Sequence, residues 1–172
     1  RWPASRRNAV VSMAAWRMKK KHFPTFPTRA ASFYSSIITM NLKFYNYDIV
    51  FQEIPDEVTL AVNLTNCPHR CPQCHSPHLH QDIGHDLNAK VLDDLLAKYG
   101  RQITCFCFMG GDRFPNDVET LAGYLRAKTR LKVAWYSGNA MLPRNARLFD
   151  YIKIGGFNPE RGGLRSRTTN QR

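Results

Sequence analysis

Short apolar runs alternate with amphipathic segments through the second half of the chain. Runs rich in β-branched and aromatic residues predict four strands, at residues 58–66, 103–109, 131–136 and 151–154. The second run is apolar at nearly every position, which is typical of a strand buried on both faces of a parallel sheet. The looser alternation of residues 40–57 predicts an irregular or edge strand ahead of this core.

Two amphipathic segments between the strands predict helices. The first is expected to begin after Asn88, a good N-cap residue, and Gly100 is placed to end it in the left-handed conformation. The second is expected to begin after Asn116, with Glu119 three residues later completing a capping box. The alternation of strands and helices predicts an α/β fold with a mostly parallel sheet and right-handed crossovers.

Ligands of parallel α/β folds bind at the carboxyl ends of the strands. Glycine lets the backbone approach a ligand closely, and a neighbouring carboxylate can accept hydrogen bonds from an ammonium group. Three loops leave the predicted strands at this edge: the loop that begins at Cys67, the loop Gly110-Gly111-Asp112, and the loop Ser137-Gly138. We therefore expect a binding site where these loops meet.

Composition divides the chain into two parts. Eight of the 25 basic residues and none of the 13 acidic residues lie in residues 1–39. The net charge of +12 therefore belongs mostly to this segment, and it does not predict a nucleic-acid-binding domain. Residues 1–39 are expected to be a disordered or loosely helical extension, either a transit segment or the product of a start placed upstream of Met40; we favour the second interpretation. Residues 40–172 are expected to form one domain.

The five cysteines favour a reducing compartment. Their number is odd, and three of them are too closely spaced for an ordinary disulfide framework. Cys105 and Cys107 share one face of a predicted strand, where we expect them to pack in the core. No apolar run approaches the roughly 18 residues that span a bilayer, so no membrane association is predicted. We expect a cytoplasmic protein.

The other three cysteines lie within eight residues, directly after the first predicted core strand. They are Cys67, Cys71 and Cys74, spaced C-x3-C-x2-C. A short loop can aim three thiolates at one centre, which is how most of an iron–sulfur cluster is held. A [4Fe–4S] cluster with three cysteine ligands keeps one iron open for chemistry. The spacing alone also allows structural zinc, because histidines that can supply a fourth ligand crowd the same loop. They are His69, His75, His78 and His80.

Further motifs follow the cysteine loop, which reads Cys67-Pro-His-Arg-Cys71-Pro-Gln-Cys74-His75-Ser76-Pro77-His78-Leu79. They are Gly110-Gly111-Asp112, Gly162-Gly163-Leu164 and Thr168-Thr169-Asn170-Gln171. With these motifs, about residues 40–172 resemble the radical S-adenosylmethionine (SAM) proteins, whose signature is C-x3-C-x2-C. Among them the chain looks most like the activating proteins of anaerobic ribonucleoside-triphosphate reductases.

The resemblance implies a partial (β/α) barrel in which Cys67, Cys71 and Cys74 ligate a [4Fe–4S] cluster. It implies that the amino group of SAM binds at the loop Gly110-Gly111-Asp112. Ser137 and Gly138 are candidates for contacts to the ribose or methionine part of SAM. Two departures stand out: Gln73 replaces an aromatic residue that many members place near the adenine, and the chain ends sooner after its Thr-Thr-Asn-Gln segment than its relatives do.

The implied activity is reductive cleavage of SAM and formation of a glycyl radical on a large partner, the anaerobic ribonucleotide reductase. A flavodoxin- or ferredoxin-like protein would donate the electron. Two alternatives stay open: another radical SAM enzyme, such as a pyruvate formate-lyase-type activase, and a non-catalytic zinc module.

Overall fold

The computed structural model describes residues 40–172, so the predicted N-terminal extension lies outside the described residues. The described chain is an α/β domain, as predicted. In chain order its elements are β1 (Lys43–Val50), β2 (Thr59–Leu64), β3 (His85–Asp86), α1 (Ala89–Tyr99), β4 (Cys105–Met109), α2 (Pro115–Lys128), β5 (Lys132–Tyr136) and β6 (Tyr151–Lys153). Two single-turn 3₁₀ helices, Pro77–His80 and Ala146–Leu148, lie in the connections.

The strands form one mixed sheet in the order β3-β1-β2-β4-β5-β6. Strands β2, β4, β5 and β6 are parallel, which confirms the mostly parallel sheet. Strand β1 is irregular, as predicted, with a register shift between Phe44 and Asn46. It is not an edge strand, because β3 pairs with its outer side. Strand β3 has two residues, too few to show a hydrophobic period in the sequence.

Both helices pack on one face of the sheet, through side chains that alternate along the strands. This core contains Leu60, Val62, Leu64, Phe106, Phe108, Val133 and Trp135 from the strands and Leu92, Leu95, Val118, Leu121 and Leu125 from the helices. On the other face, Cys105, Cys107 and Ala134 are buried in a second cluster with Ile54. The continuous apolar run of β4 is therefore buried on both faces, as predicted, and both of its cysteines are core residues. None of the helices within residues 40–172 is long and apolar enough to cross a bilayer.

The ends of the helices correct two predictions. Gly100 follows α1 with a right-handed φ of −57°, not a left-handed one. Helix α2 begins at Pro115 with Phe114 as its N-cap, so Asn116 is not the cap. Proline suits the first helical position, because its φ is preset and the missing N–H has no partner there. The Glu119 carboxylate is turned away from this end and accepts hydrogen bonds from the backbone and side-chain nitrogens of Asn145.

Asn88 is the confirmed cap, because its Oδ1 accepts a hydrogen bond from the Val91 N–H at 3.1 Å. We expect Asn88→Ala to lower the free energy of unfolding by about 1 kcal/mol, since one backbone donor of α1 loses its partner. Asn116→Ala is the matched control and should change it by less than about 0.5 kcal/mol, since Asn116 is exposed and caps nothing. Urea denaturation followed by circular dichroism measures both, and equal losses would contradict the assignment of the caps.

Candidate cysteine site at the carboxyl edge of the sheet

Since β2, β4, β5 and β6 are parallel, their carboxyl ends lie along one edge of the sheet. The cysteine loop follows β2, and the two glycine-containing loops follow β4 and β5. A cavity of about 420 Å³ opens here. Its lining includes Cys71, Cys74, Gly110, Tyr136 and Lys153. This volume lies within the range of about 300–1,000 Å³ that is typical of small-molecule sites.

The cysteine loop is fastened at its base by backbone hydrogen bonds. The Asn66 N–H donates to the Gln81 carbonyl at 2.9 Å, and the Cys67 N–H donates to the Leu79 carbonyl at 3.0 Å. Further along, the Cys74 N–H donates to the Cys71 carbonyl at 3.2 Å, which closes a tight turn between these two cysteines. The first cysteine is thus held at the base of the loop and the other two lie on its turn.

Three non-glycine residues of this loop adopt the left-handed conformation: Asn66, Arg70 and Gln73, with φ of 60°, 44° and 53°. Such residues cost roughly 1–3 kcal/mol each and persist where the surroundings fix them. Gln73, the residue that departs from the family pattern, therefore has a backbone role in the turn that precedes Cys74.

The three thiols differ in their surroundings. Cys67 is partly buried, and burial raises the pKa of its thiol, with the nearby Asp112 carboxylate adding to the rise. Cys71 and Cys74 line the cavity. A methyl group at Gly156 would stand 3.1 Å from the Cys71 sulfur, so the loop after β6 packs closely on this thiol. Because a metal binds the thiolate, metal binding at Cys67 must displace a proton.

The donor set is chemically compatible with an iron–sulfur cluster. Three free thiols lie on one loop, and two of them line the cavity. Thiolates hold iron–sulfur clusters and also structural zinc. Within residues 40–172, no three Cys, His, Asp or Glu side chains form a ready-made site for one metal ion.

Lys153 is a site residue that the sequence reasoning missed. It ends β6, lines the same cavity as Cys71 and Cys74, and donates from Nζ to the Gly155 carbonyl at 2.8 Å. Burial lowers the pKa of its ammonium group, while the nearby Asp112 carboxylate opposes this shift. The sequence did contain a signal for Lys153. The residue follows Tyr151-Ile152 near the carboxyl end of a predicted strand, and ligands bind at that edge of a parallel sheet.

Asp112, expected at the amino group of SAM, is not among the residues that line the cavity, and only 2% of its side chain is exposed. Its Oδ1 accepts from Ser137 Oγ at 2.5 Å and from Asn139 Nδ2 at 3.2 Å. Its Oδ2 accepts from the Gly138 N–H at 2.8 Å and from His69 Nε2 at 3.1 Å. The structure thus brings together three of the predicted site residues, and it adds a histidine from within the cysteine loop.

The two glycines before Asp112 have different surroundings. Both have positive φ, +99° at Gly110 and +88° at Gly111. Gly110 lines the cavity, and its carbonyl accepts the indole N–H of Trp135 at 2.7 Å. Gly111 instead faces the core, where a methyl group would stand 2.6 Å from Leu64 Cδ1. Gly110 therefore remains placed to meet a ligand, whereas Gly111 is required for packing.

Three loop histidines make defined ring contacts. The His69 ring pairs with Asp112, the His75 ring lies 5.4 Å from that of Phe157, and the His78 ring lies 4.8 Å from that of Tyr45. These contacts place the rings against the surrounding loops and strand β1.

Comparison of the chain with protein-family models, with curated proteins and with solved structures found no match.

Proposed function

We propose that this chain is a radical SAM activase that holds a [4Fe–4S] cluster through Cys67, Cys71 and Cys74. It would cleave SAM reductively and generate a glycyl radical on anaerobic ribonucleoside-triphosphate reductase. One observation carries the proposal: the C-x3-C-x2-C segment follows β2 at the carboxyl edge of four parallel strands, beside a cavity of about 420 Å³. The same strands, with α1 and α2 between them, are what a partial (β/α) barrel of this family would use.

When bound, the cluster would supply an electron and an open iron for SAM. The chain's own residues would position and shield the reactants. Lys153 offers a partly buried ammonium group to an anionic part of a ligand, and the Gly110 backbone borders the same space. Leu79, Met109 and Phe157 add apolar walls to the cavity.

The partner side of the proposal follows from the position of the cavity. The cavity lies at the loop edge of the sheet. Residues 155–172 form part of its rim through Gly163, Leu164 and Gln171. A protruding glycine loop of a large protein can approach such a rim. A flavodoxin- or ferredoxin-like donor in the cytoplasm would supply the electron.

Anaerobic reconstitution tests the proposal directly. We expect the purified chain to take up iron and sulfide in the ratio of a [4Fe–4S] cluster, to turn brown, and to convert SAM into 5′-deoxyadenosine and methionine when dithionite is added. Electron paramagnetic resonance of candidate partners would then identify the protein that acquires a glycyl radical. A tightly bound zinc ion, with no uptake of iron, would contradict the proposal and favour the structural zinc module.

A further inference from the structure

The Asp112 carboxylate is fully occupied by its own chain. A carboxylate has about four acceptor positions on its two oxygens, and four donors already fill them. The side chain is 2% exposed and is not part of the cavity lining. To bind an ammonium group of a ligand, Asp112 would have to release at least one of these donors into buried surroundings.

The four donors come from two different loops. Ser137, Gly138 and Asn139 belong to the loop after β5, and His69 lies between Cys67 and Cys71 in the cysteine loop. Asp112 itself belongs to the loop after β4. One carboxylate therefore joins the three loops that border the site.

The contact with the cysteine loop depends on a close approach between His69 and Gly138. A methyl group at Gly138 would stand 2.4 Å from His69 Cδ2 and 2.8 Å from His69 Nε2. Both distances are shorter than any tolerated contact, so the imidazole covers the glycine and would have to move if a side chain were added there. Glycine at position 138 thus makes room for the ring that reaches Asp112.

We propose that Asp112 is a positioning residue that clamps the cysteine loop to the loops after β4 and β5 through His69, and that it is not a ligand of the SAM amino group. The clamp fixes the segment between Cys67 and Cys71, whose Arg70 has a strained left-handed backbone. Its effect on cluster retention rests on the proposed function. The clamp itself is a property of the chain without its cluster.

Three variants break the clamp in different ways. Asp112→Asn replaces two acceptor positions by an NH₂ group that faces donors, His69→Ala removes the ring, and Gly138→Ala displaces it. In each, we expect amide hydrogen exchange of residues 67–75 in the cluster-free protein to become about tenfold faster. In the reconstituted protein, we expect iron loss to a chelator to become about 10–100-fold faster, the usual effect of removing a group that orients metal ligands.

Asp93→Asn is the matched control. The Asp93 carboxylate also accepts several hydrogen bonds, from Tyr124 and Lys128, but these join α1 to α2. In Asp93→Asn, the rates of amide hydrogen exchange in residues 67–75 and of iron loss to the chelator should equal those of the wild type. Unchanged exchange protection of β4 would show that each variant is folded.

The same variants separate a clamp from a SAM ligand. If Asp112→Asn weakened SAM binding in equilibrium dialysis while exchange and iron loss stayed at wild-type values, the carboxylate would be a ligand and the inference would be overturned. Wild-type exchange in both His69→Ala and Gly138→Ala would also overturn it, and these two variants leave Asp112 in place even if Asp112→Asn does not fold. Hydrogen exchange is measured without the cluster. If the protein bound only zinc, the proposed function would be rejected, and the exchange rates would still test the clamp.

Discussion

Replacement of any one of Cys67, Cys71 or Cys74 by alanine is expected to reduce reductive SAM cleavage to the rate seen without protein. In the proposed site each thiolate would anchor one iron, and an alanine methyl group has no lone pair to replace it. A cluster with two protein ligands is also no longer held with a single defined open position. The measurement is 5′-deoxyadenosine formation after addition of dithionite, combined with iron and sulfide content per chain.

Cys105→Ala is the control for this series. Cys105 is fully buried, and burial raises the pKa of its thiol to about 12, while burial also raises the pKa of Cys107. The Cys105 thiol is enclosed in the core and does not line the cavity, so this variant should keep its iron and its cleavage activity. Retained cleavage in any variant of the cysteine loop, or loss of iron in Cys105→Ala, would reject the assignment of the ligands.

The parallel core of the sheet could be predicted because its strands carry their own signal. The run at β4 is apolar throughout since both of its faces are buried, and this burial is visible in the sequence without any knowledge of its neighbours. Strand β3 could not be found in this way. Its two residues, His85–Asp86, are exposed and pair with Lys43 and Phe44, so they become a strand only through a distant partner.

The helix ends show how one neighbour decides between similar signals. Asn88 and Asn116 have the same capping chemistry, and both precede amphipathic segments. Asn88 caps α1, whereas Pro115 shifts the start of α2 one residue ahead of Asn116. The preset φ of Pro115 determined the start of α2 more strongly than the side chain of Asn116 did. This proline was visible in the sequence.

The candidate site was predictable in outline but not in its connections. The spacing of the cysteines and the strand order placed three loops at one edge, and the structure has them there. The direction of the Asp112 side chain was not predictable. Its bond to His69 joins residues 43 positions apart and its bond to Gly138 joins residues 26 apart, so no local pattern encodes either contact.

Gly111→Ala is expected to be the most damaging of three glycine substitutions around the site, lowering the free energy of unfolding by about 4 kcal/mol. Its φ of +88° is strained for alanine, at roughly 1–3 kcal/mol. The added methyl group would also stand 2.6 Å from Leu64 Cδ1 and 2.7 Å from Val118 Cγ2, and overpacking in a core costs about 1–3 kcal/mol. This is a large share of the roughly 5–15 kcal/mol that stabilises a domain.

The other two glycines separate the two causes of that loss. Gly110 has a φ of +99°, but a methyl group there would make ordinary contacts, the nearest at 3.4 Å. Gly110→Ala should therefore lower the free energy of unfolding only by the cost of backbone strain, about 1–3 kcal/mol. Gly163→Ala meets no atom within 4 Å and should change stability by less than about 0.5 kcal/mol. Urea denaturation of the cluster-free proteins, followed by circular dichroism, measures all three. A loss of stability in Gly111→Ala no larger than that in Gly110→Ala would show that Leu64 and Val118 do not oppose the added methyl group, and would contradict the prediction.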